Sequence, residues 1–397
     1  MFACALANFL AAQGLMLAGR SWPAQPVSAP GTLAAVHLLV IGWLLLLMLG
    51  ALFQFVPVIT SRPLVSQSMA LAALIVLEIG LLGMTGGFFG IGTGSRALAM
   101  ALPAGGTAVY LAVLIACGNI GVPLLRSRPW SLPGRMVLTG LAFLLLTVTL
   151  GVSFALALTV PALAPYLAPL LAAVGEHALA GLGGWLTLTA MGVSYKLLPM
   201  FMLAPEERGI AGGAVHILAT VGFALASGAG LARVWSAAEP WAVAQSAGYV
   251  AIALAVGIYL WDIVRIYRTR KRAVIEVHNK AAAAAFGFLG LATALAIGFV
   301  LAGHLGAGAP VIVFLIVFGW LGGLGLTQLY KIVPFLTWLH RYGSSLGRGA
   351  VPRVQELVQE RRSHPWFALY RSGANSADPS GVVPRRREAA GVAAELS

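Results

Sequence analysis

Two histidines stand inside apolar stretches of the sequence, where ionisable side chains are rare. His37 lies near the start of the apolar run 32–59, and His177 lies near the start of the run 167–203. A neutral imidazole offers a directed nitrogen lone pair that suits iron and copper, and ionisable residues in membrane-spanning runs tend to be functional. Both are therefore candidate metal ligands. The alternative is a histidine that only forms hydrogen bonds near the lipid headgroups.

Three further ionisable residues are candidates beside this pair. His304 precedes the last apolar run and would pair with His37, unless it is an ordinary loop histidine. Glu176 would orient the His177 ring or relay protons, unless it is a carboxylate of the interface. Glu78 lies in the middle of the third apolar run, where a carboxylate costs several kcal/mol unless it is protonated or paired. It predicts a proton relay, and a neutral acid hydrogen-bonded between helices is the alternative.

A segment of 16 residues occurs three times without gaps. Each copy begins with Gly-Trp-Leu and ends in proline, at Gly42–Pro57, Gly184–Pro199 and Gly319–Pro334. Three residues before the proline stands a polar residue that follows an aromatic one: Phe53 and Gln54, Tyr195 and Lys196, and Tyr330 and Lys331. Chance similarity between apolar helices is the alternative to a true repeat.

The repeated residues define one face of a helix. Successive residues turn by about 100°, so the tryptophan, the polar residue and the proline fall on one stripe. We expect the polar ends to line a path from the cytoplasm, and lysines that reach the inner-leaflet phosphates are the alternative. On the same helical wheel His37 and His177 point about 160° apart, so we expect their rings to face different gaps between helices.

The elements that carry these residues follow from composition. Of 397 residues, 59% are hydrophobic and 9% are charged, and the mean hydropathy is +0.91. A soluble domain carries roughly a quarter charged residues, so lipid must surround most of this chain. We predict an all-α polytopic membrane protein of about ten spans. They lie near 2–19, 32–59, 68–90, 97–120, 135–160, 167–203, 211–235, 241–265, 281–303 and 308–338.

Alternate connections between these runs differ in charge. The richer set carries Arg62, Arg126, Arg128, Arg135, Arg208 and the cluster from Arg265 to Lys280; the other set carries Arg20, Arg96 and Arg233. Basic connections face the cytoplasm, so both termini are expected there, in a bacterial inner membrane. The net charge of +13 lies in these connections and the tail. It therefore indicates lipid rather than nucleic acid as the partner.

Two domains are predicted. The transmembrane domain covers 1–342 and contains parallel repeats of four helices near 2–120, 135–265 and 281–338, the third shortened. Residues 343–397 read as a basic, largely disordered cytoplasmic tail. Cys4 and Cys117 form no spaced motif, so neither a structural disulfide nor a zinc site is expected.

The threefold set of four-helix repeats, with marked residues on runs two, six and ten, resembles subunit I of the haem–copper oxidases and their NnrS-like relatives. The resemblance implies haem as cofactor, with copper possible. His37 stands where the low-spin haem ligand of helix two would be, and His177 close to a copper ligand of helix six. The tenth run carries no His-x-His pair, His216 lies at the wrong end of the seventh, and runs eleven and twelve are missing.

This resemblance predicts a haem-binding membrane protein concerned with nitric oxide or oxygen rather than a full terminal oxidase. Whether it catalyses a reaction stays open. One alternative is an ion or small-solute transporter or channel that uses Glu78 and the polar ring of Gln54, Lys196 and Lys331. Another is a structural subunit, with further membrane subunits or a cytochrome as partners.

Overall fold

The computed structural model describes residues 1–206, 209–345, 351–358 and 360–375. Within these ranges the chain is helical and contains no β-strand. The predicted all-α class is confirmed for the described chain, and nine of its helices are long and apolar enough to cross a membrane. Arg208 and residues 376–397 lie outside the described ranges.

The helices are numbered in chain order. They are α1 Phe2–Leu17, α2 Pro30–Thr60, α3 Gln67–Thr93, α4 Arg96–Arg126, α5 Leu132–Thr159, α6 Ala164–Met202, α7 Ile210–Arg233, α8 Glu239–Arg268, α9 Val277–Leu301, α10 Leu305–Tyr342 and α11 Glu360–Asn375. The helix α1, expected as a tenth span, has 16 residues. At 1.5 Å per residue it is roughly 24 Å long, shorter than the apolar layer of about 30 Å. It packs against α2 through the buried residues Ala5 and Ala12.

Helix ends follow the local sequence. The Ser66 hydroxyl accepts hydrogen bonds from the first-turn N–H groups of α3, and the Ser131 hydroxyl does the same for α5. Each satisfies a donor that the helix itself leaves free. The helix α3 stops at Gly94, whose φ of 71° is left-handed and costs glycine nothing.

Glycine allows α3 and α4 to pack closely. A Cβ atom added to Gly105 would lie 2.5 Å from the Gly80 carbonyl oxygen and 2.5 Å from the Met84 nitrogen. The two backbones therefore touch where larger side chains would hold them apart. Small residues at helix contacts are the expected packing device inside a membrane.

The three helices that carry the repeated sequence share an irregularity. Within the described chain, π-helical segments occur at Leu38–Leu45 of α2, Leu179–Thr187 of α6 and Leu315–Gly322 of α10. Each contains the Gly-Trp pair, and the three segments contact one another. Trp43, Trp185 and Trp320 are at most 2% exposed. π-helical segments are rare in proteins, and those that occur are often found at functional sites. The part of the bundle around the three tryptophans is therefore where a functional site is expected.

The helix α11 lies within the predicted tail and packs on α9 and α10. The Tyr370 hydroxyl donates a hydrogen bond of 2.5 Å to the carbonyl oxygen of Phe318. The ring of Phe367 lies 5.7 Å from that of Tyr330. Residues 360–375 are thus a helix in contact with the bundle, whereas residues 343–397 were expected to be largely disordered.

Candidate functional site

His37 is held by its own helix next to the π segment of α2. Its Nδ1 lies 2.7 Å from the carbonyl oxygen of Leu33, one turn earlier. Its ring packs on Phe88 of α3, with centroids 5.0 Å apart. Because the carbonyl can only accept, Nδ1 carries the proton and the lone pair is on Nε2.

His177 is held in the same manner by a neighbouring helix. Its Nδ1 lies 3.1 Å from the carbonyl oxygen of Thr147 in α5, and its ring packs on Phe154, with centroids 5.4 Å apart. A Cβ atom at Gly151 would lie 3.3 Å from Cε1 of the ring, so the glycine leaves room for it. Nε2 again carries the free lone pair.

The two rings are close enough to interact electrostatically. Both side chains are half-buried, and neither Nε2 forms a hydrogen bond with a described residue. The expectation that the rings face different gaps between helices stays a prediction, and their interaction shows only that they lie near each other.

The donor set at this place is two imidazoles. The described residues contain no group of three or more His, Cys, Asp or Glu side chains that could hold a metal ion. A closed zinc site needs four protein ligands, whereas haem brings four nitrogens and takes one or two axial ligands from the protein. Histidines that bind metals donate their other N–H to a carbonyl or carboxylate, and both rings do. Two imidazoles held in this way are the type of donor that haem takes from a protein.

Neither Glu176 nor His304 forms a described hydrogen bond with the His37 or His177 ring. Glu176 accepts a hydrogen bond of 3.1 Å from Gln245 in α8, and Gln245 accepts one of 2.5 Å from Arg233. The carbonyl of Thr147, rather than Glu176, orients His177. His304 is an exposed residue at the start of α10, and its ring has no contact with His37 among the described interactions.

Glu78 is bound between α1 and α3. The side-chain amide of Asn8 donates to both of its carboxyl oxygens, at 3.1 and 3.2 Å. The same amide lies 3.4 Å from the carbonyl oxygen of Gly42 in the π segment of α2. The acid is half-buried, beside the exposed residues Ile75 and Ile79.

The three polar residues of the repeat have different surroundings. Lys196 pairs with Glu206 at 2.5 Å, Lys331 pairs with Glu276 at 2.6 Å, and Gln54 is exposed without a hydrogen bond to any described residue. Tyr330 has a buried hydroxyl with no described partner. No described hydrogen bond or ion pair joins them to one another, and the polar ring stays a prediction.

Tyr195 leads to a buried acid that the sequence analysis missed. Its hydroxyl donates a hydrogen bond of 2.8 Å to Asp262 of α8. Asp262 is 1% exposed, and its other oxygen has no hydrogen-bond partner in the described chain. The rule applied to Glu78, that an acid inside an apolar run is unusual, identifies Asp262 equally well.

A second missed group surrounds Glu276, just before α9. Its carboxylate contacts Lys331, Arg272 and the Nδ1 atom of His278. Burial raises the pKa of Glu276, but the hydrogen bond and charge of Lys331, with His278 and Arg272, outweigh it, so the pKa is lowered overall. Glu276 thus ties the loop after α8 to the end of α10 that carries Pro334. No pattern in the sequence selects this glutamate as the lysine's partner.

A cavity of about 80 Å³ lies between α2, α6 and α10. All three helices line it with residues at matching distances after their tryptophans. The residues one position after the tryptophans are Leu44, Leu186 and Leu321. Those five positions after are Met48, Ala190 and Gly325, and those eight positions after are Ala51, Val193 and Gln328. The face of each helix that lines the cavity lies next to the stripe of tryptophan, polar residue and proline. Gln54, Lys196 and Lys331 belong to that stripe and are therefore absent from the lining.

The chain matches no protein-family model, and no curated protein sequence matches it significantly.

Proposed function

We propose that this chain is a haem-binding integral membrane protein related to subunit I of the haem–copper oxidases, in which His37 and His177 hold one metal centre. The observation that carries the proposal is the matched pair of rings. Each has Nδ1 bound to a backbone carbonyl, Nε2 without a described partner and a phenylalanine ring packed beside it. Copper is the alternative metal, because imidazole also suits copper.

The role of the protein in this function is to hold the two histidine rings in position before haem binds. The Leu33 and Thr147 carbonyls select the tautomer of each ring, and Phe88 and Phe154 restrict its rotation. A bound haem would supply reversible electron transfer or the binding of nitric oxide or oxygen. Apolar residues around the rings would limit the access of water to a bound haem, and this access is one factor that sets the haem's redox potential.

Three parallel repeats, the third shortened, are part of the same proposal. The glycine before each repeated tryptophan supports it, because each seats a side chain of the first helix of its own repeat. An added Cβ would lie 2.6 Å from Asn8 at Gly42, 2.5 Å from Phe143 at Gly184 and 2.5 Å from Phe288 at Gly319. The π segments in one register support it as well. We further propose a bacterial inner membrane with both termini in the cytoplasm.

The visible spectrum of protein purified from haem-replete cells tests the proposal. We expect a Soret band that is lost in both His37→Ala and His177→Ala and retained in His304→Ala, an exposed histidine and hence the matched control. Gel filtration checks that each variant is folded. Copper in the protein without a Soret band supports the copper form, provided that both single variants lose it. Protein with neither metal contradicts the proposal.

A second candidate function, proton-coupled transport of an ion or small solute, rests on Glu78. A carboxyl group within a membrane-spanning helix, held by one amide, can gain and lose a proton at the lipid boundary. Proteoliposome flux should then fall in Glu78→Gln and persist in Glu239→Gln, which changes an exposed acid at the start of α8. Flux that is indifferent to Glu78→Gln contradicts this function.

A further inference from the structure

The cavity between α2, α6 and α10 is closed at one end and apolar on nearly all sides. Leu44, Leu186 and Leu321 form its closed end next to the buried tryptophans and are at most 5% exposed. Toward the ends that carry the prolines, the lining residues Ala51 and Gln328 are half-buried. The lining of the cavity thus becomes more exposed from the tryptophans toward the prolines.

Water is a poor occupant of this space. Two lining side chains are polar, Ser194 and Gln328, and the Ser194 hydroxyl already donates to the carbonyl oxygen of Ala190 at 2.7 Å. Gln328, whose side-chain oxygen has no hydrogen-bond partner among the described residues, is thus the main side chain of the lining that could bind water. A buried water makes about three hydrogen bonds, and apolar cavities stay dry. Several waters would find fewer partners here than they lose in bulk solvent.

An apolar molecule of a few atoms loses no hydrogen bonds on entering this cavity and gains contacts with its walls. The volume of about 80 Å³ exceeds the roughly 15 Å³ that a single water requires, and is about half that of an engineered apolar cavity that takes up benzene or xenon. An empty void costs its lining the dispersion contacts that an occupant restores. The aliphatic walls offer such contacts from three helices at once.

We propose that this cavity is a binding site for a small apolar molecule of the size of xenon or a diatomic gas. The inference does not depend on haem, because the cavity and the His37–His177 pair lie on opposite sides of the repeated tryptophans in the sequence of each helix. Binding here would concentrate an apolar gas on the axis of the bundle.

Methionine methyl NMR with xenon tests the site. Met48 lines the cavity, so its ¹³C-labelled methyl should show a saturable shift with xenon pressure, several-fold larger than that of Met69 or Met100, which lie elsewhere. Met48→Leu assigns the signal. Filling the cavity with Ala190→Leu should abolish the shift, and Ala51→Leu does the same from α2 if the first variant fails to fold. The matched control Ala283→Leu, on an exposed position of α9, should keep it.

Two results would overturn the inference. The first is a linear shift common to all methionines, which reports xenon dissolved in lipid or detergent. The second is a saturable Met48 shift that survives both filling variants. A haem spectrum without xenon binding, or xenon binding without haem, separates this site from the metal centre.

Discussion

Glu276→Gln removes a negative charge that contacts Lys331 of α10 and Arg272 of the loop after α8. The side chain of Glu276 is 15% exposed and that of its partner Lys331 is 22% exposed, so the pair lies between the surface and buried limits. Breaking a buried pair costs about 3–5 kcal/mol, whereas an exposed pair contributes about 0–1 kcal/mol. Glutamine still offers Lys331 an oxygen, so we expect a loss near 2 kcal/mol in the free energy of unfolding.

The chain contains a matched control for this change. Lys196 occupies the same repeat position as Lys331, and its partner Glu206 is 44% exposed, with Lys196 itself 33% exposed. Glu206→Gln removes one charge from the same kind of pair in a more solvated place. We expect its cost to stay below about 1 kcal/mol. Both variants are compared with the unmodified protein by equilibrium unfolding in mixed detergent micelles at pH 7.

The pH dependence provides a second readout. The pKa of Glu276 is lowered in the folded protein from its ordinary value of 4.5, so the unfolded chain takes up the proton first as the pH falls. The stabilisation is therefore complete above the ordinary pKa and is lost as the pH falls through the folded pKa. The difference between the unmodified protein and Glu276→Gln should shrink in that acidic window. Equal costs for the two variants, or a difference that grows toward acid pH, would refute the reasoning.

Three other changes test contacts inside the bundle. Asp262→Leu leaves the buried Tyr195 hydroxyl without its acceptor and should lower the free energy of unfolding by about 1–3 kcal/mol, whereas Asp262→Asn keeps an acceptor and should cost less than half as much in the same unfolding assay. Asn8→Ala removes both hydrogen bonds to Glu78 and should cost about 1–3 kcal/mol; a double-mutant cycle with Glu78→Gln isolates their coupling, and additive losses would contradict it. Gly105→Leu drives a Cβ into the backbone of α3 and should cost at least about 3 kcal/mol or abolish the monodisperse gel-filtration peak, while leucine at a glycine of α8 with open space around it, Gly257, should be tolerated.

The long apolar helices were predictable from composition, because runs of about 20 apolar residues with few charges match the thickness of a bilayer. The difference at α1 shows the limit of that rule. Its run is apolar enough to suggest a span, yet the helix stops after Leu17 and is shorter than the apolar layer of a bilayer. Hydropathy shows that a segment avoids water but does not show where its helix ends.

The candidate site was predictable in part. His37 and His177 were chosen for being histidines in apolar runs, and both prove to be held by backbone carbonyls with Nε2 free of described partners. Their proximity was not predictable, since it depends on how α2 and α6 are rotated about their axes. Asp262 was accessible to the same rule and was overlooked.

The helical class, the lengths of the apolar runs and the gapless motif that ends at Pro57, Pro199 and Pro334 were visible in the sequence, because they depend on residue type and spacing along one chain. The tertiary structure decided that the π segments meet, that Lys331 pairs with Glu276, and that a cavity remains between three helices. Those features join residues from 55 to more than 100 positions apart. Such contacts depend on helix rotation and close packing, which no local periodicity specifies.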